Sequence, residues 1–165
     1  MSALSRWFTV DFVPRDFSVA EMDEIKIAYL AGVVDGEGTI TIHKHKFYGR
    51  EAYQLRPRLI VSNTDAALLK ELQRRHGGTI TSHREATAKS KKCYLWRVAA
   101  IDEIFNLVSA MRPHLLVKGK QADLILDFLR SRRAARMTGQ KKFRPYLPRD
   151  FAAFEAIKIE NRRTF

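Results

Sequence analysis

Residues Ile27 to Gly38 read IAYLAGVVDGEG, an apolar run that ends in two carboxylates, Asp35 and Glu37, interleaved with Gly36 and Gly38. Its apolar positions recur at helical spacing. Ile25, Ala28, Tyr29 and Gly32 lie along one stripe, and Ile27, Leu30, Ala31 and Val34 along another. Two stripes predict a helix buried on two sides. One side covers a sheet, and the other, through Ala31 and Gly32, is small enough for a second helix backbone to approach. Gly36 and Gly38 supply the stop. A helix C-terminus presents unpaired carbonyls and the negative end of its dipole, so Asp35 and Glu37 are repelled by their own backbone. Something positive is expected beside them.

Upstream of this stretch, Ser18 and Glu21 have the spacing of a capping box, with Phe17 and Met22 placed as a hydrophobic staple. The helix is therefore expected to start at Ser18, and residues 1–17, which show no period, read as an extended arm. Downstream, Thr39 to His43 and Leu55 to Val61 alternate with period two, as strands with one wet face do. Between them Lys46 to Glu51 forms a polar turn around Gly49. Asn63-Thr64-Asp65 opens a second helix that runs to His76 and stops at Gly77-Gly78. Two strands near residues 79–86 and 93–100 flank the basic turn Ala88 to Lys92. A third helix, Ile101 to Met111, ends at Pro113, and a fourth runs from Lys118 to Arg133. Arg132 to Asp150 reads as a basic linker and Phe151 to Arg163 as a last short helix. Hairpins separated by a helix imply an antiparallel sheet with helices on one face, an α+β arrangement. The expected division is an arm over residues 1–17, one domain over 18–133 and a basic C-terminal extension over 134–165.

The chain has 165 residues, enough for one domain with a real core, and a formal net charge of +12. The excess is uneven: residues 39–97 carry 13 basic against 4 acidic residues, and residues 117–163 carry 13 against 5. A polyanion is the expected partner. The lone cysteine, Cys93, excludes a disulfide scaffold or a cysteine-rich metal framework. No run approaches the roughly 18 apolar residues of a membrane span, and no membrane partner is expected. With Ile40, Ile42, Leu55, Leu59 and Val61 turned to the helices, alternation turns Thr41, His43, His45, Gln54, Arg56 and Arg58 outward. In the second hairpin, Trp96 and Val98 inward place Arg97 outward, with Thr81 and His83 beside it. Such a surface fits a DNA major groove, with Lys89, Lys91 and Lys92 on phosphates or in solvent.

Leu30 to Gly38, LAGVVDGEG, closely resembles the motif that names the LAGLIDADG homing endonucleases. The following Thr-Ile strand, PRLIVSNTDAALL from Pro57 to Leu69 and PHLLVKGKQA from Pro113 to Ala122 resemble further family segments, so the similarity covers about residues 22–133. The resemblance implies an αββαββα core with a saddle-shaped sheet, whose motif helix packs against a second copy of itself. One motif per chain implies a homodimer, with Leu30, Ala31, Gly32 and Val34 at the contact. Two helix ends meeting at the dimer axis bring paired Glu37 carboxylates and Gly36 carbonyls together, an oxygen-rich arrangement suited to Mg2+, for which Mn2+ can substitute. Carried over from the family, Glu37 binds metal, Gly36 lends its carbonyl, Lys118 stabilises developing charge and Asn63 positions solvent. The implied activity is metal-dependent double-strand cleavage of a long pseudo-palindromic target with cohesive 3′ overhangs.

Other readings stand beside this one. Asp35 and Gly38 can simply cap and turn the chain, and Lys118 can be an ordinary first-turn lysine. An EF-hand reading of Asp35, Glu37 and Thr39 fails, because Ile40 replaces its glycine and Lys46 its closing glutamate. His43 and His45 form an H-x-H pair with no further ligand nearby. The alternatives in function are an RNA maturase that binds its host intron RNA, and a DNA-binding regulator without cleavage. An intracellular setting is expected, an archaeal cytoplasm or an organelle such as a chloroplast or mitochondrion.

Overall fold

The computed structural model describes residues 19–46, 53–88, 90–137 and 146–163. The elements follow in the order α1 (Val19–Glu37), β1 (Gly38–Lys46), β2 (Tyr53–Asn63), α2 (Ala66–His76), β3 (Thr79–Arg84), β4 (Cys93–Val98), α3 (Ile101–Met111), a short 3-10 turn (Arg112–His114), α4 (Gly119–Met137) and α5 (Pro148–Arg163). The expected N-terminal arm, the Ser18 cap with its staple, the turn around Gly49 and Lys89 lie outside the described residues. The strands form one antiparallel sheet in the order β1-β2-β4-β3. It is an α+β fold with an open sheet.

The alternation read in β1 and β2 sets the packing. Ile40, Ile42, Leu55, Leu59 and Val61 are buried on the helix side together with Trp96 and Val98 of β4. Against them lie Leu30, Ala31 and Val34 of α1, Leu69 and Leu72 of α2, Ile104 and Val108 of α3, and Ile125 and Leu129 of α4. Each large aliphatic side chain fully buried in this way contributes about 1.5–3 kcal/mol. Pro57 is tolerated within β2 because it lies where that strand has β1 on one side, before the β4 pairing begins at Leu59.

Three local expectations need correction. Gly36 does not end the first helix: α1 continues through it to Glu37 and β1 begins at the next residue. Asn63 closes β2 rather than opening a helix, and Asp65 caps α2 by accepting from the amides of Ala67 at 2.8 Å and Leu68 at 3.3 Å. The last helix is long, 16 residues, and Ile157 within it joins the main core. Its first turn is tied down by the buried Asp150, which accepts from the Leu147 amide at 2.8 Å and faces Arg132 of α4 at 3.6 Å. Asn161 donates to the Ile40 carbonyl of the sheet edge at 3.0 Å, so α5 also steadies β1. No helix among the described residues is long and apolar enough to cross a membrane.

The abrupt step from α1 into β1 depends on Gly38. A Cβ there would lie 2.7 Å from both the Cα and the carbonyl oxygen of Val34, backbone atoms that cannot yield. Gly38→Ala should therefore destabilise the protein by about 1–3 kcal/mol. In urea titration the midpoint should fall with an unchanged slope, and an unshifted midpoint would show that the helix end relaxes freely.

Candidate functional site

The two carboxylates of the motif are two residues apart on a helix, about 200° around its axis, and so they face different surroundings. Asp35 points at the entry to α4. Its Oδ2 accepts from the amides of Leu116 at 2.7 Å and Val117 at 3.1 Å, and its Oδ1 accepts from the Lys118 amide at 2.9 Å. The Lys118 carbonyl in turn accepts the first helical bond of α4, from the Ala122 amide at 3.0 Å. The negative end of α1 thus meets unpaired donors and the positive end of another helix. That is the positive partner the sequence required.

Glu37 is turned the other way and is exposed, with no hydrogen bond to its carboxylate among the described residues. A Cβ on neighbouring Gly36 would meet nothing within 4 Å, so the backbone there also borders open space. Lys118 is only 4% exposed and donates its ammonium to the Asp35 carbonyl at 2.5 Å. It is therefore not an ordinary surface lysine. Burial pushes its pKa down, while Asp35 and then Glu37 draw it back up. Glu37, the Gly36 carbonyl and Lys118 thus surround the tip of α1. Asn63 is elsewhere engaged: its Oδ1 accepts from the Asp65 amide at 2.8 Å in the turn into α2, and no contact links it to Glu37 or Lys118 among the described residues.

The outer side of α1 corrects the expected dimer contact. Leu30, Ala31 and Val34 are fully buried in the chain's own core and have no surface to offer a second chain. Gly32 alone of the four expected residues is exposed, and a Cβ on it would meet nothing within 4 Å. It continues a stripe with Ile25, 47% exposed, and Tyr29, 57% exposed. Alongside, α2 contributes Leu68 to a shallow apolar groove of about 450 Å³.

The open sheet face gathers most of the outward residues expected from alternation. Thr41 pairs with Arg58, His43 with Arg56 and His45 with Gln54, while Arg97 pairs with Ile60 on one side and Thr79 on the other. Thr81 joins this face opposite Leu95. His83 does not hold the place expected of it: it falls within the irregularity between Ser82 and Arg84, and Arg84 takes the place opposite Cys93. Thr39 and Thr79 share the face, and the same alternation carried two residues further would have found them. Arg56 donates through Nε to Gln54 at 2.8 Å. Burial and then Arg58 and Arg97 hold the His43 imidazole below its usual range, so it is neutral at pH 7. Away from the face, Lys92 is bound to Glu85 at 2.9 Å, and Lys91 is exposed. None of the four strands contains an aspartate or a glutamate.

Neither a protein-family model nor a curated protein matches the chain. Solved structures do. The homing endonuclease I-CvuI, in complex with the I-CreI target in the presence of 2 mM Mg with the DNA not cleaved, superposes with a TM-score of 0.58 at 22% identity over 87% of this chain and 96% of its own. The archaeal intron-encoded homing endonuclease I-Vdi141I complexed with DNA gives 0.54 at 16% identity, over 85% of this chain and 99% of its own. The LAGLIDADG homing endonuclease I-GzeII in complex with its DNA target gives 0.57 at 18% identity, over 79% of this chain and 42% of its own. The chain has the fold of the LAGLIDADG homing endonucleases.

The buried Lys118 amine makes stability depend on pH. Its folded pKa lies below the ordinary value of 10.5, so the unfolded chain holds the proton to higher pH than the folded one. Stability then rises with pH between the folded pKa and the unfolded one, as the cost of burying the charge is relieved. Compared with Lys118→Met in denaturant titrations, the wild type should gain stability as pH climbs towards 10.5. Parallel curves for the two proteins would show that the ammonium is solvated after all.

Proposed function

We propose that this chain, on the fold it shares with the LAGLIDADG homing endonucleases, is a site-specific DNA endonuclease. It works as a homodimer with magnesium and cuts both strands of a long, partly palindromic duplex, leaving cohesive 3′ overhangs. The observation that carries this reading is the pairing of an open sheet whose four strands contain no carboxylate with an exposed glutamate at the tip of α1. The face attracts a polyanion and offers side chains suited to base edges, and Glu37 is an exposed carboxylate immediately before its first strand. The DNA in the complexes of I-CvuI, I-Vdi141I and I-GzeII supports the same substrate.

The donors at the tip fit a hard cation only in part. Among the described residues no group of three or more His, Cys, Asp or Glu could hold a metal ion. A single chain supplies the Glu37 carboxylate and the Gly36 carbonyl, whereas magnesium takes six oxygens. The donor chemistry is right, and a second chain together with substrate phosphate and water would complete the number. A cation bound there supplies Lewis acidity to phosphodiester hydrolysis. Glu37 would hold it, Lys118 would bring positive charge to the reacting phosphate, and Asp35 fixes the loop that carries Lys118. The exposed stripe of Ile25, Tyr29 and Gly32 supplies the surface on which two copies meet.

A randomised duplex library incubated with magnesium should yield specific double-strand cuts by the wild type. Glu37→Gln should cut at least about 100-fold more slowly while still binding the selected sites, and cleavage at the wild-type rate would remove Glu37 from the chemistry. For the assembly, Gly32→Arg is informative because its side chain meets open space in a lone chain. Sedimentation should show a dimer for the wild type and a monomer with undiminished melting temperature for the variant. A dimer that survives the arginine would place the contact elsewhere.

A further inference from the structure

We infer that Arg97, Arg58 and Arg56 are guanine readers, and that each half-site of the target carries three G·C pairs spaced about two base pairs apart. The inference rests on the endonuclease reading for its substrate and adds what that substrate must contain. The sheet register sets the spacing. Arg56 and Arg58 are two residues apart on β2, and Arg97 pairs with Ile60, two residues beyond Arg58. Strands rise about 3.3 Å per residue, so the three guanidinium groups advance along the strand direction in steps of about 6.7 Å. Base pairs rise about 3.4 Å, so with the strands laid along the groove each step matches two of them.

The chemistry of the three side chains points to bases more than to phosphates. A phosphate-gripping arginine is freely solvated, whereas these stand on the two inner strands, β2 and β4, and are partly buried. The Arg97 Nε is buried with no hydrogen-bond partner among the described residues, so no acceptor of the chain engages that edge of its guanidinium. Gln54 holds the Arg56 Nε at 2.8 Å, which fixes its plane and leaves the two terminal nitrogens to project as a fork. Burial, then the charges of Arg97 and Arg56, hold Arg58 below the usual guanidinium range, so the three crowd one another with no carboxylate on any strand to relieve them. A guanine edge presents O6 and N7 together, two acceptors that match a guanidinium fork and are shown side by side only by that base.

The experiment is selection of bound duplexes from a randomised library by the full chain, repeated with Arg97→Gln, Arg58→Gln, Arg56→Gln and Arg58→Lys, each first shown to melt as the wild type does. The wild type should select three G·C pairs per half-site at intervals of about two base pairs. Each glutamine variant should lose preference at one of them, by roughly 5- to 150-fold, in the order of the register. Arg58→Lys keeps the charge and loses the planar fork, so it should weaken the middle preference less than Arg58→Gln does while retaining its salt-dependent affinity. A specific site without G·C pairs at that spacing, or variants that weaken all sequences equally, would overturn the inference and leave the endonuclease reading standing. Binding without any sequence preference by the wild type would overturn both.

Discussion

The structure depends on one carboxylate meeting three amides. Asp35 stands at the negative end of α1 and would be destabilised there alone, but its oxygens accept from Leu116, Val117 and Lys118 where α4 begins. Two helix ends of opposite sign are joined through a side chain, and each satisfies groups the other leaves unpaired. The consequence reaches the site directly. Lys118 is drawn against the Asp35 carbonyl, Glu37 is left facing solvent, and Gly38 lets β1 start at once. The acidic tip, the first strand of the open sheet and the entry to α4 are therefore joined directly.

Charge is segregated by face in a way that stability alone does not explain. Among the described residues the carboxylates sit on helices and loops, where Glu71 pairs with Arg74 and Arg75, Glu85 with Lys92 and Asp127 with Arg130. Exposed pairs of this kind contribute little, at most about 1 kcal/mol each. Leaving Arg56, Arg58 and Arg97 together on one sheet surface costs repulsion that a single glutamate on a strand would relieve. A face kept unrelieved in this way is arranged for an anion that comes from outside the chain.

Much of this was legible in the sequence because the signals are local. Period-two alternation placed Thr41, His43, His45, Gln54, Arg56 and Arg58 on one surface, and the register puts them there in cross-strand pairs. Helical spacing separated the stripe of Ile25, Tyr29 and Gly32 from that of Leu30, Ala31 and Val34. It did not tell which stripe the core would take, and Ala31 went with the buried one. A single extra residue in β3 exchanged the places of His83 and Arg84, because strand pairing rather than spacing decides a bulge. The last helix reads as short from the sequence, since its anchors, Arg132 to Asp150 and Asn161 to Ile40, join separate segments of the chain.

By itself the sequence determined the elements, the wet face of the sheet and the demand for positive charge beside Asp35 and Glu37. These follow from periodicity and from the helix dipole, which act over a few residues. Only the tertiary structure decided how the two carboxylates divide their work. Asp35 finds its donors more than eighty residues along the chain, on a loop the motif cannot see, and Glu37 is left free because the helix turns it to the opposite side.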